Sequence, residues 1–150
     1  MPDLPAGSIV KALDTPPTVA DTQSATVTTT STAYTTSGTD CAVVWVAPTT
    51  GRVLIHTAAR MVNSSTTSGS LIAPETRTGA VIGSGTVVQA PVDALGTSHY
   101  GNTFARSGTV TLLSGLTPGA TYHTRLLMRT SVGTDTASFA SRELIIVPAT

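Results

Sequence analysis

The chain has 150 residues, a formal net charge of zero, 11% charged residues and a single lysine, Lys11, among eight basic side chains. That length suits one domain with a substantial core, and the charge leaves no electrostatic footprint for nucleic acid or an anionic membrane surface. Threonine, glycine and proline are frequent and long Ala/Leu/Glu/Lys runs are missing, so an all-β fold is expected, a two-sheet antiparallel β-sandwich. With so few charges to keep exposed surfaces apart, much of the uncharged surface is expected to be covered by copies of the chain or by a partner. No window approaches the roughly 20 apolar residues of a membrane span. The first residues, Met1 to Gly7, lack the charged start and apolar centre of a secretory signal, which predicts synthesis and folding in a cytoplasm.

Residues 1–22 carry Pro2, Pro5, Pro16 and Pro17, which argue against helix and against an interior strand. They read as an extended N-terminal arm with Leu4, Ile9, Val10 and Leu13 as anchors, docked on a neighbouring subunit or folded back on its own domain. Residues 23–150 form the head. The threonine-serine tract Ser24–Thr36 reads as an edge strand bent near Ser31, because β-branched threonine suits a half-buried pleated surface. Asp40–Val46 is a continuous apolar run, as expected of a strand covered on both faces. Cys41 stands alone, so it makes neither an internal disulfide nor a zinc pattern and is expected to pack as a small hydrophobe.

Ala47–Gly51 turns the chain, and Val53, Ile55, Thr57, Ala59 and Met61 line one face of the next strand opposite Leu54, His56, Ala58 and Arg60. These two strands are expected to form a hairpin. Asn63–Gly69 is a loop whose Asn63-Ser64-Ser65 matches a glycosylation acceptor, taken as a chance match without a secretion signal. Ser70–Arg77 is a strand that Pro74 confines to an edge or a bulge, and Val81–Ala90 is another, with Gly83 and Gly85 permitting a bend. Pro91–Asn102 is the longest interruption, and its Asp93, His99 and Tyr100 make it the candidate contact loop.

Thr103–Leu113 resumes strand, and Leu116-Thr117-Pro118-Gly119-Ala120-Thr121-Tyr122 follows. Pro118 presets one turn angle, Gly119 tolerates a positive φ, and Tyr122 is placed to bond back to the backbone as in the tyrosine corner of β-sandwiches. Beyond the corner Tyr122, Thr124, Leu126 and Met128 share one face, with His123, Arg125, Leu127 and Arg129 on the other, three of them polar and facing outward. Gly133 turns the chain and Phe139–Val147 closes the sheet, for about eight strands, the number of a jelly roll.

No catalytic or metal-binding pattern emerges, and neither a cofactor nor a metal is expected. Ser98 and His99 are neighbours whose side chains point to opposite faces of a strand, and no Gly-x-Ser-x-Gly elbow occurs. His56 and His123 could share a metal only if their strands pair in register, and His123 or Arg125 could line an axis between copies. Glu75 and Glu143, the only glutamates, are too scattered for a glycosidase pair, and Gly83-Ser84-Gly85 lacks the later glycine and lysine of a phosphate loop. Trp45 lies in an apolar run and is read as core.

Val44-Trp45-Val46-Ala47-Pro48 with Leu116–Tyr122 resembles pieces of a fibronectin type III domain, which implies a seven-strand binding or spacer module, although about 70 residues separate Trp45 from Leu116. A second resemblance covers nearly the whole chain. Leu4-Pro5-Ala6-Gly7-Ser8-Ile9-Val10, the threonine-rich first strand, Val46–Ile55, the Pro-Gly corner and Arg142–Pro148 look like small virion proteins of phages of high-GC actinobacteria. The Ala-Pro-x-x-Gly entry and the final strand are similar to jelly-roll heads of the C1q/tumour-necrosis-factor type. That resemblance implies a non-enzymatic homotrimer on the capsid surface or tail, made in a bacterial host's cytoplasm. The expected role is a capsid decoration or head-fibre protein held by its arm to the major capsid protein or a tail protein. The alternative is a tail-associated receptor- or carbohydrate-binding protein, meeting a host-surface glycan through Pro91–Asn102, with Trp45 or Tyr100 as a stacking platform.

Overall fold

A computed structural model describes residues 16–150 of the chain. The expected anchors Leu4, Ile9, Val10 and Leu13 lie outside the described residues. Ten strands follow: β1 (Val19–Gln23), β2 (Val27–Thr29), β3 (Ala42–Val46), β4 (Val53–Asn63), β5 (Gly69–Thr78), β6 (Val87–Gln89), β7 (Thr97–Tyr100), β8 (Ala105–Leu113), β9 (Thr121–Thr130) and β10 (Ala137–Pro148). They form two antiparallel sheets packed face to face. Sheet I runs β1-β10-β4-β8, with β2 beside β1 on β10, and sheet II runs β3-β9-β5-β6, with β7 beside β6 on β5. Taking the broken strands β1/β2 and β6/β7 as one each leaves four per sheet, ordered 1-8-3-6 and 2-7-4-5. That is the double Greek key of a jelly roll, and it differs from the seven-strand arrangement of a fibronectin module.

The core lies between the sheets. Val53, Ile55, Ala59 and Met61 of β4 and Leu144, Ile146 and Phe139 of β10 meet Trp45, Tyr122, Leu126 and Met128 of sheet II. Trp45 stacks on Tyr122 with ring centroids 5.2 Å apart and donates from Nε1 to Thr124 Oγ1 at 3.0 Å, so it is a core residue and no stacking platform. The corner forms as the sequence predicts: the Thr117 N–H donates to the Tyr122 phenol at 3.0 Å, and Gly119 takes φ 78°. Gly119 N–H also donates to Ala47 O, and Leu116 N–H to Gly51 O. Gly51 is required there, since its φ is 62° and a Cβ would stand 2.6 Å from Leu116 O.

Several local expectations change. Val19–Thr22, at the end of the stretch expected as an arm, belongs instead to a strand of the head, Val19–Gln23, paired with Arg142–Ile146. β3 and β4 do not form a hairpin; the Ala47–Gly51 turn carries the chain between sheets, where β3 pairs β9 and β4 pairs β10 and β8. Nor is β3 covered on both faces: Val44 is 41% and Val46 38% exposed, since β3 ends its sheet. The Ser24–Thr36 tract yields only Val27–Thr29 and one bridge at Thr35, the chain turning where the Ser31 hydroxyl bonds Ala33. The Val81–Ala90 expectation shrinks to β6, because Gly83 and Gly85 at φ 82° and 80° turn the chain out of the sheet. Pro91–Asn102 is not one loop but a 3-10 turn, Asp93–Leu95, and β7.

Pro74 sits where its missing N–H does least harm. β7 pairs the Gly69–Ile72 end of β5 and β6 pairs Thr76 and Arg77, so Pro74 falls in the gap between them.

Candidate interaction surface

Each sheet has an inner face on the core and an outer face, and the two outer faces differ. On sheet II the outer positions are Leu71, Ala73, Glu75 and Arg77 of β5 and His123, Arg125, Leu127 and Arg129 of β9. Half of these read as a solvated face in the sequence, yet Leu71, Ala73, Glu75, His123 and Leu127 are all buried. The chain covers them itself. The β5–β6 connection lies over His123 and Arg125, Gly96 rests so close to Ala73 that a Cβ would stand 2.8 Å from the alanine methyl, and Tyr34 packs beside Arg129.

The charges under this cover are paired. Glu75 accepts from Arg77 Nη2 at 3.0 Å and from Arg125 Nε at 2.8 Å. Burial would raise its carboxyl, but the two guanidinium hydrogen bonds outweigh burial and hold it below the usual carboxylate range. Asp93 is gripped by Arg129 through both carboxylate oxygens and by the Tyr34 phenol at 2.9 Å. The Arg129 hydrogen bonds hold the Asp93 carboxyl low, whereas burial, reinforced by Asp93, pushes the Tyr34 phenol up. Asp93 is therefore a latch between the 3-10 turn and β9. Of the other two residues singled out in this stretch, His99 donates from Nε2 to Thr103 O at 2.8 Å, and Tyr100 lays its ring over Gly69 with 57% of its surface exposed.

Among the described residues sheet I has no such cover. Its outer positions include Leu54, His56, Ala58 and Arg60 of β4, Arg106, Val110 and Leu112 of β8, and Glu143, Ile145 and Val147 of β10, with Arg60 over the Phe104 ring. β8 departs from ordinary patterning: its register with β4 is unbroken from Ala105 to Leu113, and it turns Ser107, Thr109 and Thr111 inward and Val110 and Leu112 outward. Val110 is 52% and Leu112 49% exposed, while Thr111 Oγ1 is buried without a hydrogen-bond partner among the described residues. A one-residue slip would put the aliphatic side chains in the core and the hydroxyls in water. The register held is the one that leaves an apolar stripe on the outside. Beside the stripe is a cleft of about 440 Å³ lined by Thr22, Gln23, Ser24, Arg106, Ser141 and Glu143. Arg106 crosses it, donating to Ser141 O at 3.0 Å and Glu143 Oε2 at 3.1 Å.

The cleft follows from a bulge in β10 between Ala140 and Glu143, where Ser141 takes φ 47°, the one positive value outside glycine among the described residues. The bulge also aims Arg142 inward. Its side chain is fully buried, donates from Nη1 to Thr39 O at 3.0 Å, and leaves Nε and Nη2 without partners among the described residues. Burial lowers its affinity for the proton. Nothing in the sequence distinguishes this arginine from the exposed ones.

His56 and His123 lie on opposite outer faces of the sandwich, so they cannot share a metal, and neither His123 nor Arg125 is free to line an axis. No cluster of three or more His, Cys, Asp or Glu side chains suited to a metal occurs among the described residues. Asn63 is buried and donates to Gly69 O and Thr130 Oγ1, which makes it a structural amide and closes the glycosylation match. Cys41 is buried as expected, and burial pushes its thiol up to about 12. The class these features define is a jelly-roll sandwich with one sheet face covered by the chain and one left uncovered by the described residues. No protein-family model matches the chain, and no curated protein matches it.

Proposed function

We propose that the chain is a non-enzymatic structural protein of a bacteriophage particle, a homotrimeric capsid decoration or head-fibre protein attached through its N-terminal segment. Copies meet through the outer face of sheet I. The observation that carries the reading is the inverted β8, with Val110 and Leu112 outward and threonines inward. An apolar stripe of this kind on a chain without net charge favours contact with copies of itself. The similarity to C1q/tumour-necrosis-factor heads supplies the three-fold. Bridging of neighbouring capsomers by such a head adds buried area at their junctions and stabilises the shell.

Equilibrium sedimentation of the full chain is expected to give trimer, and Leu112→Asp to give a folded monomer; a monomeric wild type removes the trimer. Labelled protein is expected on assembled particles, and deletion of Met1–Thr15, which leaves β1 intact, to abolish attachment. Retention of the shortened protein on particles contradicts the anchoring role.

A second reading, a tail-associated receptor- or carbohydrate-binding protein, is favoured by exposed Tyr100 and by the polar cleft at Arg106, Ser141 and Glu143. A glycan array on wild type and Tyr100→Ala separates the readings: glycan binding lost with the ring favours this one.

A further inference from the structure

The buried His123 is held by the chain in one tautomer. Its ring sits on the outer face of sheet II, fully buried beneath the connection between β5 and β6. Nδ1 lies 2.9 Å from Gly79 O, a group that can only accept, so Nδ1 carries the proton. Nε2 lies 3.0 Å from Gly83 N, whose N–H can only donate, so Nε2 offers its lone pair. Both ring nitrogens are occupied, by opposite ends of one five-residue stretch of backbone.

Few other bonds hold that stretch. Its ends are fixed by Gly79 N–H to Thr121 O and by Thr78 and Thr86, and Arg77 Nη1 donates to Gly85 O at 3.2 Å. Between them Ser84 N–H bonds only back to Val81 O, and the Val81 side chain stands in solvent. The His123–Gly83 bond is thus the tie between the tip of the connection and the sheet. Gly83 suits it sterically as well, with φ 82° and a Cβ position 2.8 Å from Arg125 Nη1.

We propose that His123 is an acid-released clasp: a second proton, placed on Nε2, turns an acceptor into a donor facing the Gly83 N–H, and the 80–85 flap lifts from sheet II. Histidine is the side chain whose charge changes in the mildly acidic range, and its two nitrogens make the change directional. The charged groups facing the ring are Arg77, opposite it on β5, Arg125, two positions along β9, and Glu75, which binds both arginines. Val44 faces it from β3, and neither the connection nor β6 contributes a titratable group. With Glu75 engaged by both arginines, no free carboxylate among the described residues is at hand to accept the new N–H. Lifting the flap uncovers the Glu75–Arg77–Arg125 cluster and joins it to exposed Val44, so the outward surface of sheet II differs between neutral and mildly acidic solution.

The test is amide hydrogen exchange of the full chain at pH 7.5 and 5.0, with intrinsic rates divided out, together with the imidazole ¹⁵N shifts of His123. The Gly83 protection factor is expected to fall about tenfold or more at pH 5.0, as a lost bond to a buried group implies. Protection in β4 and β10 should stay unchanged, and the Nε2 resonance should move from acceptor-type to protonated in step. In His123→Gln, whose amide supplies a donor and an acceptor without titrating, Gly83 protection is expected to be the same at both pH values. Unchanged Gly83 protection in the wild type, or protonation of Nε2 with the flap still closed, overturns the proposal. Should the glutamine variant fail to fold, the wild-type exchange and ¹⁵N data decide alone.

Discussion

The outer faces of the two sheets are built from similar strands and end in opposite states. Leu127 of β9 and Leu112 of β8 both point away from the core, yet Leu127 is buried under the chain's own connections and Leu112 stands half in water. The difference comes from where the long connections run. Tyr34, the 79–86 connection and the 91–96 segment all cross sheet II, whereas none of the described connections crosses the middle of sheet I. In this sandwich an outward apolar residue is a buried residue on one side and stands half in water on the other.

The contrast can be broken most severely with paired aspartates. Leu127→Asp strands a charge beneath the cover and should cost about 3–5 kcal/mol in denaturant unfolding, or prevent folding. Leu112→Asp should leave the unfolding free energy of the monomer within about 0.5 kcal/mol and act on association alone. Equal losses at both sites would mean that the faces do not differ. Next in size, Glu75→Gln leaves Arg77 and Arg125 without their carboxylate and should cost about 2–4 kcal/mol. Acidification acts on the same side. Glu75 and Asp93 both titrate lower folded than at their ordinary values of 4.5 and 3.8, so their contribution is complete above those values. It is lost as pH falls through the depressed folded values. Midpoints of urea unfolding should therefore drop below about pH 4, and less so in Glu75→Gln.

Smaller still, Tyr122→Phe removes the acceptor of the Thr117 N–H, where nearby water can substitute, and should cost about 1 kcal/mol. Arg106→Ala breaks an ion pair whose side chains are 48% and 35% exposed and should change stability by less than about 0.5 kcal/mol. A large effect there would show that the uncovered face is more tightly organised than its exposure implies.

What the sequence determined by itself is local. Period-two alternation placed β4 and β9, composition fixed the all-β class, and the Leu-Thr-Pro-Gly-Ala-Thr-Tyr string defined the corner down to the bond made by Tyr122, because turn chemistry and pleat depend on near neighbours. Pairing was not legible: β3 and β4 are close in sequence and lie in different sheets, since nothing in a short turn says whether the chain folds back or crosses over. Nor was cover. His123 and Leu127 alternate like an exposed edge, and only connections dozens of residues away bury them. β8 shows the same limit in reverse, for its aliphatic side chains face outward in a register imposed by β4. A strand's sequence sets which side chains share a face, and the tertiary structure alone decides whether that face meets core, chain or water.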